Sequence, residues 1–203
     1  MPYISLDAAN DLAAQSDFWA IRGKAIHAYA GLEQSLAHLF SALAGVKPKI
    51  GGVIFFRIGA AVRRSIIDEL FRLKFKDEYK LFRNSLLKQL KPIDDERNQI
   101  IHWNVVNNIG SDDLDRTTSK LTLKSPVYWT DPLGMAKDAE QMIAFSNKCA
   151  FYSALCSFFP PMAIEGFTKH PISDDDRKPW LEIYSKPIEY PPPAGHVLAT
   201  LHV

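Results

Sequence analysis

Cysteine is almost absent from this chain, which carries only Cys149 and Cys156. In a segment that reads as helix, their seven-residue spacing sets them roughly 10 Å apart along the axis, too far for a disulfide. They are expected as buried thiols in a reducing compartment. No two-cysteine knuckle occurs, and His27, His38, His170, His196 and His202 form no His-x3-His pair, so zinc is not expected. Long apolar runs are also missing. Nothing approaches the ~20 residues of a membrane span, and Met1-Pro2-Tyr3-Ile4-Ser5-Leu6-Asp7 has neither the basic nor the apolar part of a signal peptide. The expectation is a soluble cytoplasmic protein with no membrane partner. Charge of one sign is lacking too: 24 Lys and Arg face 23 Asp and Glu, and a net charge of +1 draws no polyanion to the molecule as a whole. Gly45 to Gly52 lacks the Gly-Lys-Ser/Thr ending of a phosphate loop, and no Gly-x-Ser-x-Gly elbow occurs. No cofactor is expected. There is no internal repeat.

What is present is helical periodicity. At 203 residues the chain can bury a real core. Ala25, Tyr29, Leu32, Leu36, Leu39 and Leu43 alternate steps of four and three, which predicts a helix over 18–43 capped at Ser16-Asp17, with a short helix before it from Ser5 or Asp7. After Lys47-Pro48 and Gly51-Gly52, a second long helix is expected to bury Phe55, Ile58, Val62, Ile66, Leu70 and Leu73. A third runs from about Asp77 through Leu86, Leu90, Ile93 and Ile100, with a kink or break at Pro92. Asn104–Ile109, Lys120–Leu123 and Val127–Trp129 are β-prone runs around a polar turn with Gly110, Asp112 and Asp113, so a β-hairpin is expected. A last helix carries Met142, Phe145, Cys149, Tyr152, Cys156 and Phe159, starting near Asp131-Pro132 and stopping at Pro160-Pro161. Eight of the 13 prolines lie from Pro160 onward, which predicts an extended arm anchored by Trp180, Tyr184, Tyr190 and Val197. Asp174-Asp175-Asp176 reads as a solvated turn in that arm.

The chemistry concentrates at Asp95-Glu96-Arg97-Asn98-Gln99-Ile100-Ile101-His102-Trp103. With Leu86 at zero and 100° per residue, Leu90, Ile93, Ile100 and Ile101 fall between about −40° and +60°, and Arg97 near +20° lies inside that apolar arc. A guanidinium there needs carboxylate, phosphate or carbonyl partners. Asn98 and His102 are an i, i+4 pair on one helix edge, whereas Arg97 and His102 stand about 140° apart on an ideal helix. A second subunit could supply the missing half of a site. The plain alternative has Arg97 pairing with Glu33 or Asp94 and His102 capping the helix C-terminus.

Arg97-Asn98-Gln99-Ile100-Ile101-His102 resembles the Arg-x4-6-His motif of HEPN domains (higher eukaryotes and prokaryotes nucleotide-binding), in which a polar residue commonly follows the arginine. Upstream, Tyr29-Ala30-Gly31-Leu32-Glu33 and the apolar helix to Leu43-Ala44-Gly45 look like the first core helix of small bacterial HEPN-like proteins. The resemblance covers roughly residues 18–103, and the hairpin and proline-rich segment fall outside it. It implies a metal-independent endoribonuclease of toxin or phage-defence type acting at a site made by a homodimer. His102 would be the general acid or base, Arg97 the electrostatic clamp and Asn98 a positioning residue. RNA is the implied substrate, and an antitoxin or nucleotidyltransferase a possible partner. The reading from a different class is a non-catalytic HEPN-like module for dimerisation, nucleotide binding or protein interaction.

The expected fold is all-α: a four-to-five-helix up-down bundle over residues 1–160, with a β-hairpin insert near 104–130 and an extended arm over 161–203. Between Arg57 and Lys91, ten Lys or Arg face four acids, a local excess that could hold phosphates, although a solvated helix face is the simpler reading. Phe71, Phe75, Tyr79 and Phe82 interleave with these cations and could stack bases, but helical spacing points to core.

Overall fold

Ala8, Ala9, Ala13, Ala14 and Ala20 favour helix, and neither glycine nor proline occurs between Leu6 and Gly23. The first helix therefore does not split. In the computed structural model, which describes residues 6–108, 120–126 and 136–199, α1 is one helix over Leu6–Ala44. Ser16 and Asp17, expected as a cap, are exposed mid-helix residues. The predicted stripe is right, since Ala25, Tyr29, Leu32, Leu36, Leu39 and Leu43 are all buried. α1 ends where Gly45 takes φ +66° and Val46 N–H donates to the Ser41 carbonyl at 3.0 Å, the six-to-one bond of a glycine-terminated helix.

The single helix expected next is two, α2 (Pro48–Phe55) and α3 (Ala60–Phe75), with Gly59 in extended backbone at the start of the second. The predicted stripe slips with the break. Ile67 and Phe71 are the buried residues of α3, while Val62 and Leu73 are exposed. Arg63 explains how the break is tolerated. Its Nε donates to the carbonyls of Phe55 (2.8 Å) and Ile58 (2.9 Å), groups that a continuous helix would have satisfied itself. Its Nη1 lies 2.6 Å from Glu33, and the guanidinium carbon lies 4.6 Å from the centre of the Phe55 ring.

Of the kink or break expected at Pro92, the break does not occur: α4 (Lys80–His102) runs through it, with Leu86, Leu90, Ile93 and Ile100 buried. Pro92 is exposed, so the carbonyl it cannot bond stands where water can reach it. The hairpin forms as expected: β1 (Asn104–Asn108) pairs antiparallel with β2 (Lys120–Lys124), placing Val105 opposite Leu123 and Val106 opposite Thr122. A two-residue β3 (Ala136–Lys137) adds to β2, giving a three-stranded sheet. The turn around Gly110, Asp112 and Asp113, the run Val127–Trp129 and the helix start at Asp131-Pro132 lie outside the described residues.

α5 (Ala139–Ala163) starts at a reciprocal cap: Gln141 N–H donates to Asp138 Oδ1 and Asp138 N–H to Gln141 Oε1, both at 3.0 Å. Its predicted stripe is buried throughout. It does not stop at Pro160-Pro161, since Ile164 N–H still donates to the Pro160 carbonyl at 3.0 Å. The expected extended arm contains a helix, α6 (Asp174–Tyr184), and Asp174-Asp175-Asp176 form its first turn. Ser173 caps it by accepting from Asp176 N–H, and three carboxylates suit the positive end of a helix. Of the expected anchors, Tyr184 is buried and donates its hydroxyl to the Leu155 carbonyl at 3.1 Å, Trp180 stacks on Phe158 at 4.5 Å and Tyr190 packs on Phe151 at 5.3 Å, whereas Val197 is exposed.

The described chain is mostly helical, with one small antiparallel sheet, and no described helix is long and apolar enough to cross a membrane. Contacts divide it into two units. The first comprises Met1–Ala28 and Asp94–Ser146. The second comprises Tyr29–Ile93 and Asn147–Val203.

Within the second unit the core centres on Phe159. Its ring lies 4.9 to 5.6 Å from those of Phe71, Phe75, Tyr79, Phe82 and Tyr184, and is parallel to Phe82 at 5.3 Å. Four of these five are therefore the aromatics that might have stacked bases, and packing claims them. A hydroxyl trio also joins α1 to α5. Ser35 Oγ donates to the Gly31 carbonyl at 3.0 Å, accepts from Ser157 at 2.9 Å and lies 2.7 Å from Ser153 Oγ.

Candidate functional site

An α-helix leaves its last carbonyls without intrahelical donors, and the end of α4, at His102, lies inside the candidate motif. The partner comes from α1. Arg22 donates Nε to the Ile100 carbonyl and Nη2 to the Ile101 carbonyl, both at 2.8 Å, and Nη2 also reaches the Trp103 carbonyl at 3.3 Å. Fixed positive charge at the negative end of a helix is favourable, and the planar guanidinium matches several acceptors at once. Half-burial pulls the Arg22 guanidinium below its ordinary pKa, because the charged form loses water. It also sits 5.2 Å from the centre of the Trp19 ring. The capping role considered for His102 therefore belongs to Arg22.

The motif residues divide by exposure. Arg97 is half-buried, between the buried Ile93 and Ile100 on its own helix, and Asn98 and His102 are exposed, as their shared helix edge requires. Arg97 Nη1 donates to Asn98 Oδ1 at 3.0 Å, which brings these two adjacent motif side chains together. Among the described residues, no hydrogen bond or ion pair involves the His102 side chain. Glu33, one partner considered for Arg97, is taken by Arg63.

Glu96, the motif's acidic neighbour, is structural. Lys137 Nζ on β3 donates to its Oε1 at 2.8 Å, tying the short strand to α4, and both side chains are largely shielded from solvent. The helix end is thus held on one side by Arg22 and on another by Lys137. Asn98 and His102 remain open to a ligand.

Sequence reasoning missed Arg22 as a site residue, yet the signal was present. Phe18, Arg22, Ala25, Tyr29 and Leu32 continue the same four-three spacing, so Arg22 falls on the buried stripe of α1. Lys137 carried no such signal, because its pairing with Glu96 spans 41 residues of sequence. No protein-family model, curated protein or solved structure matches this chain.

Proposed function

We propose that the end of α4 belongs to a metal-independent endoribonuclease of HEPN type, of toxin or phage-defence character, working as a homodimer of up-down helical bundles. The observation that supports it best is the exposure of Asn98 and His102 on one edge of a pinned helix end, with Arg97 hydrogen-bonded to Asn98. Imidazole has an unperturbed pKa of about 6.5 and transfers protons near neutral pH. In this reading His102 takes the proton from an RNA 2′-hydroxyl as its oxygen attacks the adjacent phosphorus, or protonates the departing 5′-oxygen. The new bond is O2′–P and the broken bond is P–O5′, which leaves a 2′,3′-cyclic phosphate and a 5′-hydroxyl. Arg97 stabilises the charge that builds on the phosphorane oxygens. The separation of about 140° between Arg97 and His102 on one helix is the reason for a second protomer, whose Arg97 complements the first protomer's His102. An antitoxin or nucleotidyltransferase is the partner class compatible with this reading.

The test is incubation of the purified protein with RNA in EDTA, repeated with His102→Ala. Cleavage that persists in EDTA, vanishes in the variant and leaves cyclic-phosphate ends supports the enzyme. No cleavage of any RNA by a folded protein refutes it and leaves the second reading, a non-catalytic HEPN-like module for dimerisation, nucleotide binding or protein interaction. A strictly monomeric mass by light scattering would remove the composite site.

A further inference from the structure

The turn between α3 and α4 opens a cleft of about 400 Å³ lined by Arg72, Lys76, Asp77, Lys80, Arg83 and Asn84. One carboxylate serves two guanidiniums beside it: Asp68 Oδ1 lies 3.0 Å from Arg83 Nε, and Oδ2 lies 2.8 Å from Arg72 Nη2. Lys80 and Asp77 form a looser pair at 3.4 Å. The cleft lining itself carries four cations, Arg72, Lys76, Lys80 and Arg83, against the single carboxylate of Asp77, with Asp68, Glu69 and Glu78 nearby. The Arg83 side chain is only 5% exposed, and besides Asp68 its Nε and Nη2 donate to Asn84 Oδ1 at 3.3 and 3.2 Å, so Arg83 and Asn84 together line the cleft.

Lys76 adds an independent observation. It is the only described non-glycine residue with positive φ, at φ 54° and ψ −114°, and Glu78 N–H donates to the Phe75 carbonyl at 3.0 Å across it. That is the first central position of a type II′ turn, where glycine is strongly preferred. A lysine held there sets an ammonium on the rim of the cleft at the expense of backbone strain, and such strain collects at sites that bind.

We propose that this cleft binds phosphate groups, with Arg83 at its base and Arg72, Lys76 and Lys80 around the anion. The neighbouring aromatics Phe75 and Tyr79 are committed to the Phe159 cluster, so the cleft recognises phosphate and not a base. The backbone of single-stranded RNA and free pyrophosphate present the same chemistry. The proposal is independent of RNA cleavage and of His102.

The experiment is calorimetric titration of the full chain with inorganic pyrophosphate and with an oligouridine, at several salt concentrations, for wild type, Lys76→Gly, Lys80→Gln and Lys88→Gln. Lys88 is exposed on α4 and does not line the cleft. Pyrophosphate affinity is expected to fall at least about fivefold in Lys76→Gly and Lys80→Gln and to hold in Lys88→Gln. If RNA is an occupant, its logarithmic salt slope falls by about 0.7 in each cleft variant. Loss for pyrophosphate with unchanged RNA binding identifies a small phosphate as the ligand. Lys76→Gly relaxes the backbone and should raise the melting temperature while weakening binding. A raised melting temperature with unchanged affinity for both probes, or no wild-type binding of either, overturns the proposal.

Discussion

Replacing Arg22 by methionine keeps most of the side-chain volume and removes every donor from the end of α4. Two bonds of 2.8 Å and one of 3.3 Å disappear, leaving the Ile100, Ile101 and Trp103 carbonyls to water. Hydrogen bonds from a charged donor contribute roughly 1.5–3 kcal/mol each when the acceptor stays dry. Arg22 is half-buried, so water re-enters and replaces most of what each bond contributed, leaving a loss of about 1.5 kcal/mol for the three together. Loss of the cation at the helix terminus adds about 0.5 kcal/mol. The expected net loss is about 2 kcal/mol, with Arg22→Lys recovering part of it because an ammonium keeps the charge but not the fork. Urea denaturation measures the total, and hydrogen exchange locates it. The Trp103 N–H, bonded to the Gln99 carbonyl at 3.0 Å, should exchange on the order of 30-fold faster in Arg22→Met as the last turn frays. An unchanged urea midpoint together with an unchanged Trp103 exchange rate would refute the view that Arg22 holds the helix end on which His102 sits.

Gly51 and Gly52 are adjacent in α2 and should respond oppositely to alanine. A Cβ on Gly51 would come within 2.0 Å of Ser41 Oγ, 2.7 Å of its Cβ and 3.1 Å of its Cα, so the helix must shift, whereas a Cβ on Gly52 meets nothing within 4 Å. Gly51→Ala is expected to destabilise by about 1–3 kcal/mol and Gly52→Ala to stabilise by up to about 1 kcal/mol, measured by chemical denaturation. Equal effects would contradict the close approach. On the alkaline side, burial pushes the Cys156 thiol up from 9.0 to about 12 and Tyr152 from 10.0 to about 12, and it raises Tyr184 as well. The folded state then keeps protons that the unfolded chain releases, so stability should hold below pH 9 and decline as pH rises toward 12. Denaturation midpoints at pH 8, 9.5 and 10.5 check the sign. The same burial should leave Cys149 and Cys156 unreactive toward a thiol reagent until denaturant is added, with rapid native labelling as the contrary result.

Every residue of the stripes that periodicity picked out on α1 and α5 is buried, although both helices bury more than one stripe, with Ala37 and Phe40 added on α1 and Phe151, Leu155 and Met162 on α5. Periodicity misplaced the boundaries that depend on other parts of the chain. The break at Gly59 is stabilised by Arg63, a residue whose carbonyl partners become visible only once α2 and α3 exist. Pro160-Pro161 were expected to stop α5 and do not, and α4 stays unbroken at Pro92, since packing on either side outweighs the lost bonds. The cap of α5 was legible in Asp138-Ala139-Glu140-Gln141, three residues from first to last, but was overlooked in favour of Asp131-Pro132. At the candidate site the edge shared by Asn98 and His102 followed from spacing alone. The supports, Arg22 and Lys137, lie 78 and 41 residues from their partners Ile100 and Glu96; local spacing marks Arg22 as a stripe residue but says nothing of what either side chain meets.

The three serines between α1 and α5 have a consequence for how these helices find their alignment. Apolar contact is non-directional, so the stripe of α1 would tolerate α5 displaced along its length by one turn, about 5.4 Å. Hydroxyl groups would not. Such a displacement would carry Ser153 and Ser157 away from Ser35, leaving a buried oxygen without its two neighbours. Small polar side chains thus act as an index mark on an otherwise slippery seam, selecting one setting of the two helices from several of similar apolar burial.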